Sequence, residues 1–292
     1  FRVGQFKVPF SLEISQSHKY IDFAERSIAV NNMVRPSPRD IGAMVWGSVG
    51  GGFAEYQLGV VNGAGENRSD NNADKDLAGR LVLRPFRKAR KSAFFGTHLG
   101  VSGTWGAQDA DFSNAFFRTV GGTDFVRFAS GTALEGNRSR LGTEFALPLG
   151  PALLKAEWMW LWMDDFRKSS LREDLDFHSW YVSGTYLLTG ESKSLGRVVP
   201  DRPLSFAHGT WGAWELATRY SHFHSDEALF RLGMASGTTR ADAVTAGLNW
   251  YINELLRLTL NYEYTDFEDQ LVIDGEPLDD EHAVLVQGQL EF

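Results

Sequence analysis

The sequence predicts an all-β fold, a transmembrane antiparallel β-barrel, on three observations. Period-two alternation of apolar and polar residues recurs along the chain, no helical pattern of similar length competes with it, and the connections fall into a short and a long class. The sharpest alternation lies in "EWMWLWMDDF" (157–166). Trp158, Trp160 and Trp162 sit at i, i+2 and i+4, which is one face of a strand but would scatter around a helix. Met159 and Leu161 take the other face.

The remaining strands are read the same way. "LLRLTLNYEYTDF" sets Leu256, Leu258, Leu260, Tyr262 and Tyr264 against Arg257, Thr259, Asn261, Glu263 and Thr265. "GAWELATRYSHF" sets Trp214, Leu216 and Tyr220 against Glu215, Ala217, Arg219 and Ser221, and "AVTAGLNWYIN" sets Val244, Leu248 and Trp250 against Thr245 and Asn249. "NRSRLGTEFALPLG", "DLAGRLVLRPF", "FFGTHLGVSGTWG" and "HAVLVQGQLEF" follow. Roughly a dozen such segments can be traced, each near the ~9–11 residues that a tilted strand needs to cross hydrocarbon.

Connections such as "VGGGF", "PLGPA" and "INEL" are tight. "AGENRSDNNADKD", "DDFRKSSLREDLD", "SHFHSDEALFRLGMASGTTRAD" and "EDQLVIDGEPLDDEH" are long, polar and acidic. Barrels of outer membranes have this asymmetry, with short periplasmic turns and longer external loops. In that frame "DDF" begins an external loop and the three tryptophans face lipid. Trp214, Tyr220, Trp250, Tyr262, Tyr264 and Phe292 join them in an aromatic girdle at headgroup level.

Composition excludes much else. The 292 residues carry a formal charge of −8, 43% hydrophobic and 13% aromatic residues, 30 Gly and no Cys. Disulfides, thiolate metal sites and cysteine nucleophiles are absent, and the acidic balance disfavours a nucleic-acid partner. No window reaches the ~18 apolar residues of a transmembrane helix. "GSVGGG" lacks the Lys-Ser/Thr of a phosphate loop. His222 and His224 share a strand face without a third ligand, so no metal, cofactor or catalytic residue is expected. The opening "FRVGQFKVPF", without Met, reads as a mature or truncated chain.

Several stretches carry a family resemblance: "VGQFKVPFSLEISQSHKYIDFAERS", "PSPRDIGAMVWGS", "EYQLGVVNGAG", "RLGTEFALPLGPALLKAEW", "WYVSGTYLLTGE", "GAWELATRYS" and "GLNWYINELLRLTLNYEYTDF". Over nearly its whole length the chain resembles the phosphate-selective porin O/P family. The resemblance implies a trimeric Gram-negative outer-membrane barrel of about sixteen strands. It also implies passive passage of small anions such as phosphate or polyphosphate, with lipid and lipopolysaccharide outside. Roughly four strands are then expected upstream of this chain, so its first and last strands should not close with a full ladder.

The family folds the counterpart of segment 9–38 into the lumen as a constriction. Lys7, Lys19, Arg26, Arg35 and Arg39 travel with that segment. Lumen faces of strands add Arg80, Arg84, Arg138, Arg140, Lys155, Arg219 and Arg257. Guanidinium forks suit oxyanions, and several weak sites allow exit as well as entry. Each cation could instead brace the wall, because Glu55, Glu144, Glu157, Glu215 and Glu263 share those faces. A general diffusion pore and a structural outer-membrane protein with a filled lumen are the alternatives.

Overall fold

The computed structural model describes residues 1–68, 72–273 and 275–291. Phe292, placed in the girdle from sequence, lies outside them. The wall consists of β1 (Arg2–Lys7), β2 (Arg39–Val49), β3 (Ala54–Val61), β4 (Asp76–Leu83) and β5 (His98–Ala107), then β10 (Asn137–Leu149), β11 (Ala152–Lys168), β12 (Leu171–Leu187), β13 (Ala213–Ser225), β15 (Arg240–Tyr251), β16 (Leu256–Ile273) and β17 (Glu276–Leu290). These twelve pair antiparallel in sequence order, as the meander predicts. Among the described residues β1 and β17 form no ladder with each other, so the sheet is open, in line with the expectation above.

Burial runs opposite to that of a soluble sheet. On β11 the outward Leu154, Trp158 and Trp162 are exposed, while the inward Lys155 and Glu157 are buried. Such a wall is stable only where apolar medium lies outside and polar partners lie inside. Trp158 stacks on Trp160 and on Trp180 across the β11–β12 ladder, and Trp214 stacks on Trp250 across β13–β15 at 5.1 Å. Tyr220 and Tyr262 are exposed on the same outer face, and Tyr264 is half-buried there.

Tight turns at 50–53, 150–151 and 252–255 define one end, the turn end; Gly150 takes φ 60° there, which Gly adopts without strain. The other end departs from the sequence reading. "DDFRKSSLREDLD" is no loop: β11 continues to Lys168 and β12 resumes at Leu171, with a register shift between Met163 and Phe166. β16 and β17 likewise extend to Ile273 and from Glu276. Beyond the hydrocarbon the outer face of a hairpin meets water rather than lipid, so the alternation that marks a strand is lost there, although Phe166, Leu175 and Leu271 stay buried on the inner face.

Inside the wall lie α1 (Leu12–Ser15) and α2 (Ile28–Met33), both within the segment joining β1 to β2. Segment 108–136 contributes β6 (Ala110–Asp111), β7 (Phe116–Arg118), β8 (Asp124–Phe128) and β9 (Thr132–Leu134); α3 (Glu227–Arg231) and β14 (Ala235–Gly237) follow β13. β14, β8 and β7 form a small sheet of their own. The largest apolar cluster joins α2, β7 and β8 to the inward residues Met159, Leu161, Met163, Phe177 and Phe223. The sequence places Met159 and Leu161 on the inner face but gives no partner for them. At the loop end that face is apolar, because it packs on other secondary structure.

Candidate functional site: an inward segment and its arginines

Segment 8–38 crosses the interior in largely irregular backbone, whose N–H and C=O groups need partners away from water. Wall side chains supply them. The Glu157 carboxylate accepts the N–H groups of Leu12 at 2.7 Å and Glu13 at 2.9 Å, and the Tyr181 hydroxyl donates to it at 2.9 Å. Asn261 accepts the Ala24 N–H at 2.7 Å, and Asn249 donates to the Asp22 carbonyl at 2.8 Å. Arg257 donates to the Ile21 carbonyl at 2.9 Å, Arg219 to that of Glu25 at 3.1 Å, and Ser179 to that of Ala29 at 3.0 Å. Local caps complete the path: the hydroxyl of Ser27 accepts the Val30 N–H at 3.1 Å to start α2.

A buried charge cluster locks the segment at the turn end. Asp22 lies 2.5 Å from Lys155 and 2.7 Å from Lys193, and Lys193 lies 2.6 Å from Glu215. Burial pushes the Asp22 carboxyl up, but the two ammonium groups outweigh it and hold the group below the usual carboxylate range. Burial likewise opposes charge on Lys193, yet Asp22, Tyr251 and Glu215 hold its ammonium above the usual lysine range. Neither Asp22 nor Lys193 stood out in the sequence, since ion pairing across the chain leaves no local pattern.

The basic residues singled out from sequence divide into three groups. Arg80, Arg138, Lys155, Arg219 and Arg257 are buried, and the first four face carboxylates: Arg80–Glu144 at 2.8 Å, Arg138–Asp76 at 3.1 Å, Lys155–Asp22 at 2.5 Å and Arg219–Glu263 at 3.3 Å. Lys7, Lys19, Arg84 and Arg140 reach water in part. Lys7 donates to the Gln16 carbonyl at 2.7 Å, Lys19 pairs with Glu291 at 3.3 Å, Arg84 pairs with Glu55, and Arg140 donates to the Arg35 carbonyl. Arg26, Arg35 and Arg39 carry no ion pair among the described residues.

Arg26 and Arg35 come together with Arg118 and the amides of Asn31 and Asn32 around a cleft of about 260 Å³ between the inward segment and β7. Arg35 and Arg118 both lie over the Phe116 ring, their guanidinium carbons 4.5 and 4.2 Å from its centroid, and Arg118 also pairs with Asp124 at 2.5 Å. Burial and the neighbouring Arg118 lower the Arg35 guanidinium from its ordinary range, though arginine stays charged. Arg118 was missed in the sequence; its signal is the short alternation around "FFR", in a segment not read as structured.

The chain's likenesses agree with this architecture. It aligns with Porin O of Pseudomonas aeruginosa at 25% identity over 295 residues, covering 89% of this chain and 64% of that protein, so it spans somewhat less than two thirds of the relative's length. OmpT of Vibrio cholerae, an outer-membrane protein, superposes with a TM-score of 0.56 at 12% identity, covering 99% of this chain and 75% of that one. The outer membrane channel DcaP of Acinetobacter baumannii superposes with a TM-score of 0.53 at 11% identity, covering 99% and 71%. These two share the barrel fold. With the model of phosphate-selective porin O and P matching residues 1–292, the chain belongs to that family of outer-membrane β-barrel proteins.

Proposed function

We propose that this chain forms wall and constriction of a passive outer-membrane channel for small anions of the phosphate or polyphosphate class. The observation that carries the reading is the cleft where Arg26, Arg35 and Arg118 converge beside Asn31 and Asn32. A hydrated oxyanion passing there exchanges water for guanidinium donors, chiefly those of Arg26 and Arg35. Arg118 is shared with Asp124 at 2.5 Å, and the Asn32 amide is held by the Ile28 and Arg118 carbonyls. Among the described residues no carboxylate lines the cleft itself. The net charge of −8 does not oppose this, because screening confines each surface charge to about 8 Å at physiological salt. The buried cations act earlier in the chain of causes: they hold the segment that presents the cleft. Family membership supports a homotrimer, and one of the OmpT structures is described as a trimer form.

One observation favours a structural role instead: the apolar cluster fills the loop-end interior with α2 and the inner sheet. Reversal potentials of the full-length protein in a salt gradient separate the readings. Anion preference that falls on joint substitution Arg26→Gln and Arg35→Gln, with weaker phosphate block of chloride current, supports the channel. Cation preference, or a reversal potential unmoved by the double substitution, leaves a general pore; absence of conductance leaves the structural role.

A further inference from the structure

Beside the arginine cleft lies a second, larger chamber of about 670 Å³, bounded by the inward segment, β10, β11 and the 108–117 stretch. Its lining mixes two chemistries. Phe112, Phe128, Leu161 and Met163 are apolar, with Phe112 edge-to-face on Phe128 at 5.2 Å and on Phe166 at 5.3 Å. Arg35, Arg68 and Arg138 line the same space. Arg138 is 4% exposed; it gives one terminal nitrogen to the Gly63 carbonyl and to Asp76, and its Nε has no acceptor. The Nε of Arg35 is also buried without an acceptor. Asp109 and Asp111 border the same space.

We infer that this chamber binds organic anions that join a carboxylate to an apolar, preferably aromatic, body. The inference rests on the channel reading above and adds a second class of anion to it. The guanidinium groups of Arg35, Arg68 and Arg138 line the chamber and suit a carboxylate. A bare inorganic anion would leave half of its hydration shell facing Phe112, Leu161 and Met163, which offer no hydrogen bonds. An aryl ring satisfies that side by offset or edge contact with Phe112 and Phe128. The volume lies within the ~300–1,000 Å³ range of small-molecule pockets.

The test is block of chloride current through the full-length protein in planar bilayers, comparing phenylacetate, acetate and neutral phenylacetamide. Phenylacetate is expected to block at a concentration at least about tenfold below acetate, the factor that burying a ring supplies, and phenylacetamide not at all. Phe112→Ser should collapse the phenylacetate-to-acetate ratio toward one, with strand content checked by circular dichroism. Should Phe112→Ser not fold, Ala115→Leu, which fills the chamber, serves in its place. Equal block by phenylacetate and acetate, equal block by the neutral amide, or an unchanged ratio in the folded variant overturns the chamber while leaving an anion-selective channel standing. Loss of anion preference in the wild type overturns the channel reading itself.

Discussion

The two halves of the inner wall are made by the same strands and obey different rules. Along β11 the inward residues at the turn end are Lys155 and Glu157, and those toward the loop end are Met159, Leu161 and Met163, all buried. β16 repeats the change, from Arg257 and Glu263 to Phe267. What differs is the partner. Residues 9–25 are mostly irregular and bring unsatisfied backbone to the wall, so the wall answers with carboxylates, amides and guanidinium groups. α2 and the inner sheet satisfy most of their own backbone, with the Ala29 carbonyl held by Ser179, and present Ile28, Val30, Met33, Phe117 and Phe128, so the wall answers mainly with apolar side chains. Inner-face polarity therefore reports the regularity of the backbone it packs on rather than depth in the membrane.

The largest expected effect breaks the charged half. Asp22→Ala leaves Lys155 and Lys193 buried beside each other with one acid fewer, and removing one partner of a buried ion group costs about 3–5 kcal/mol. Denaturant unfolding of the full-length protein in detergent micelles reads that loss; a change under ~1 kcal/mol would show the cluster to be water-filled and the comparison misplaced.

A pair of substitutions two residues apart sharpens the comparison. Glu157→Leu removes the acceptor for the Leu12 and Glu13 N–H groups, and each buried donor left unpaired costs about 1–3 kcal/mol. Met159→Leu, on the same face and strand, keeps volume and chemistry and should cost less than about 1.5 kcal/mol. Equal effects in the same unfolding assay would erase the boundary between the halves.

Solution pH tests the charged half without mutation. The depressed carboxyl of Asp22 contributes stability that is complete above the unfolded carboxylate value of about 3.9 and is lost as pH falls through the folded one. The raised ammonium of Lys193 contributes stability complete below about 10.4 and lost as pH rises through its folded value. The contributions of these two groups to the unfolding midpoint should hold level between these limits and fall outside them, and Asp22→Asn should flatten the acid limb. An acid limb of equal depth in wild type and Asp22→Asn would assign it to other carboxylates.

How much of this was legible follows from the same comparison. The outer face was readable because lipid demands an apolar residue at every second position, as in Leu154, Trp158 and Trp162, and turns such as "PLGPA" end each run. Strand order followed from that alone. The inner face was only half readable: Glu157 and Arg219 could be placed inside, but not matched to Leu12, Glu13 or Glu25, since a side chain bonding to distant backbone has no spacing rule. The loop-end extensions were lost because the outward constraint stops where hydrocarbon stops. Arg118 was lost because β7 spans only Phe116–Arg118 and alternates too briefly to register.

The smallest expected effect concerns selectivity at the edge of the charged half, at His18 on the inward segment. Burial and then the adjacent Arg26 lower its imidazole pKa, with Lys7 and Arg257 acting the same way and Glu25 opposing them. His18 is therefore neutral at pH 7 and takes up its proton only below the ordinary imidazole value of about 6.5. Acidification through that lowered value adds one cation beside Arg26, and local charge near a constriction weighs more than charge in screened loops. Anion preference in bilayer reversal potentials should thus rise modestly as pH falls below about 6.5, with His18→Gln flat over the same range. A rise that persists in His18→Gln would trace the effect to protonation of wall carboxylates instead, and would move the selectivity-setting charge from the irregular segment to the strands that hold it.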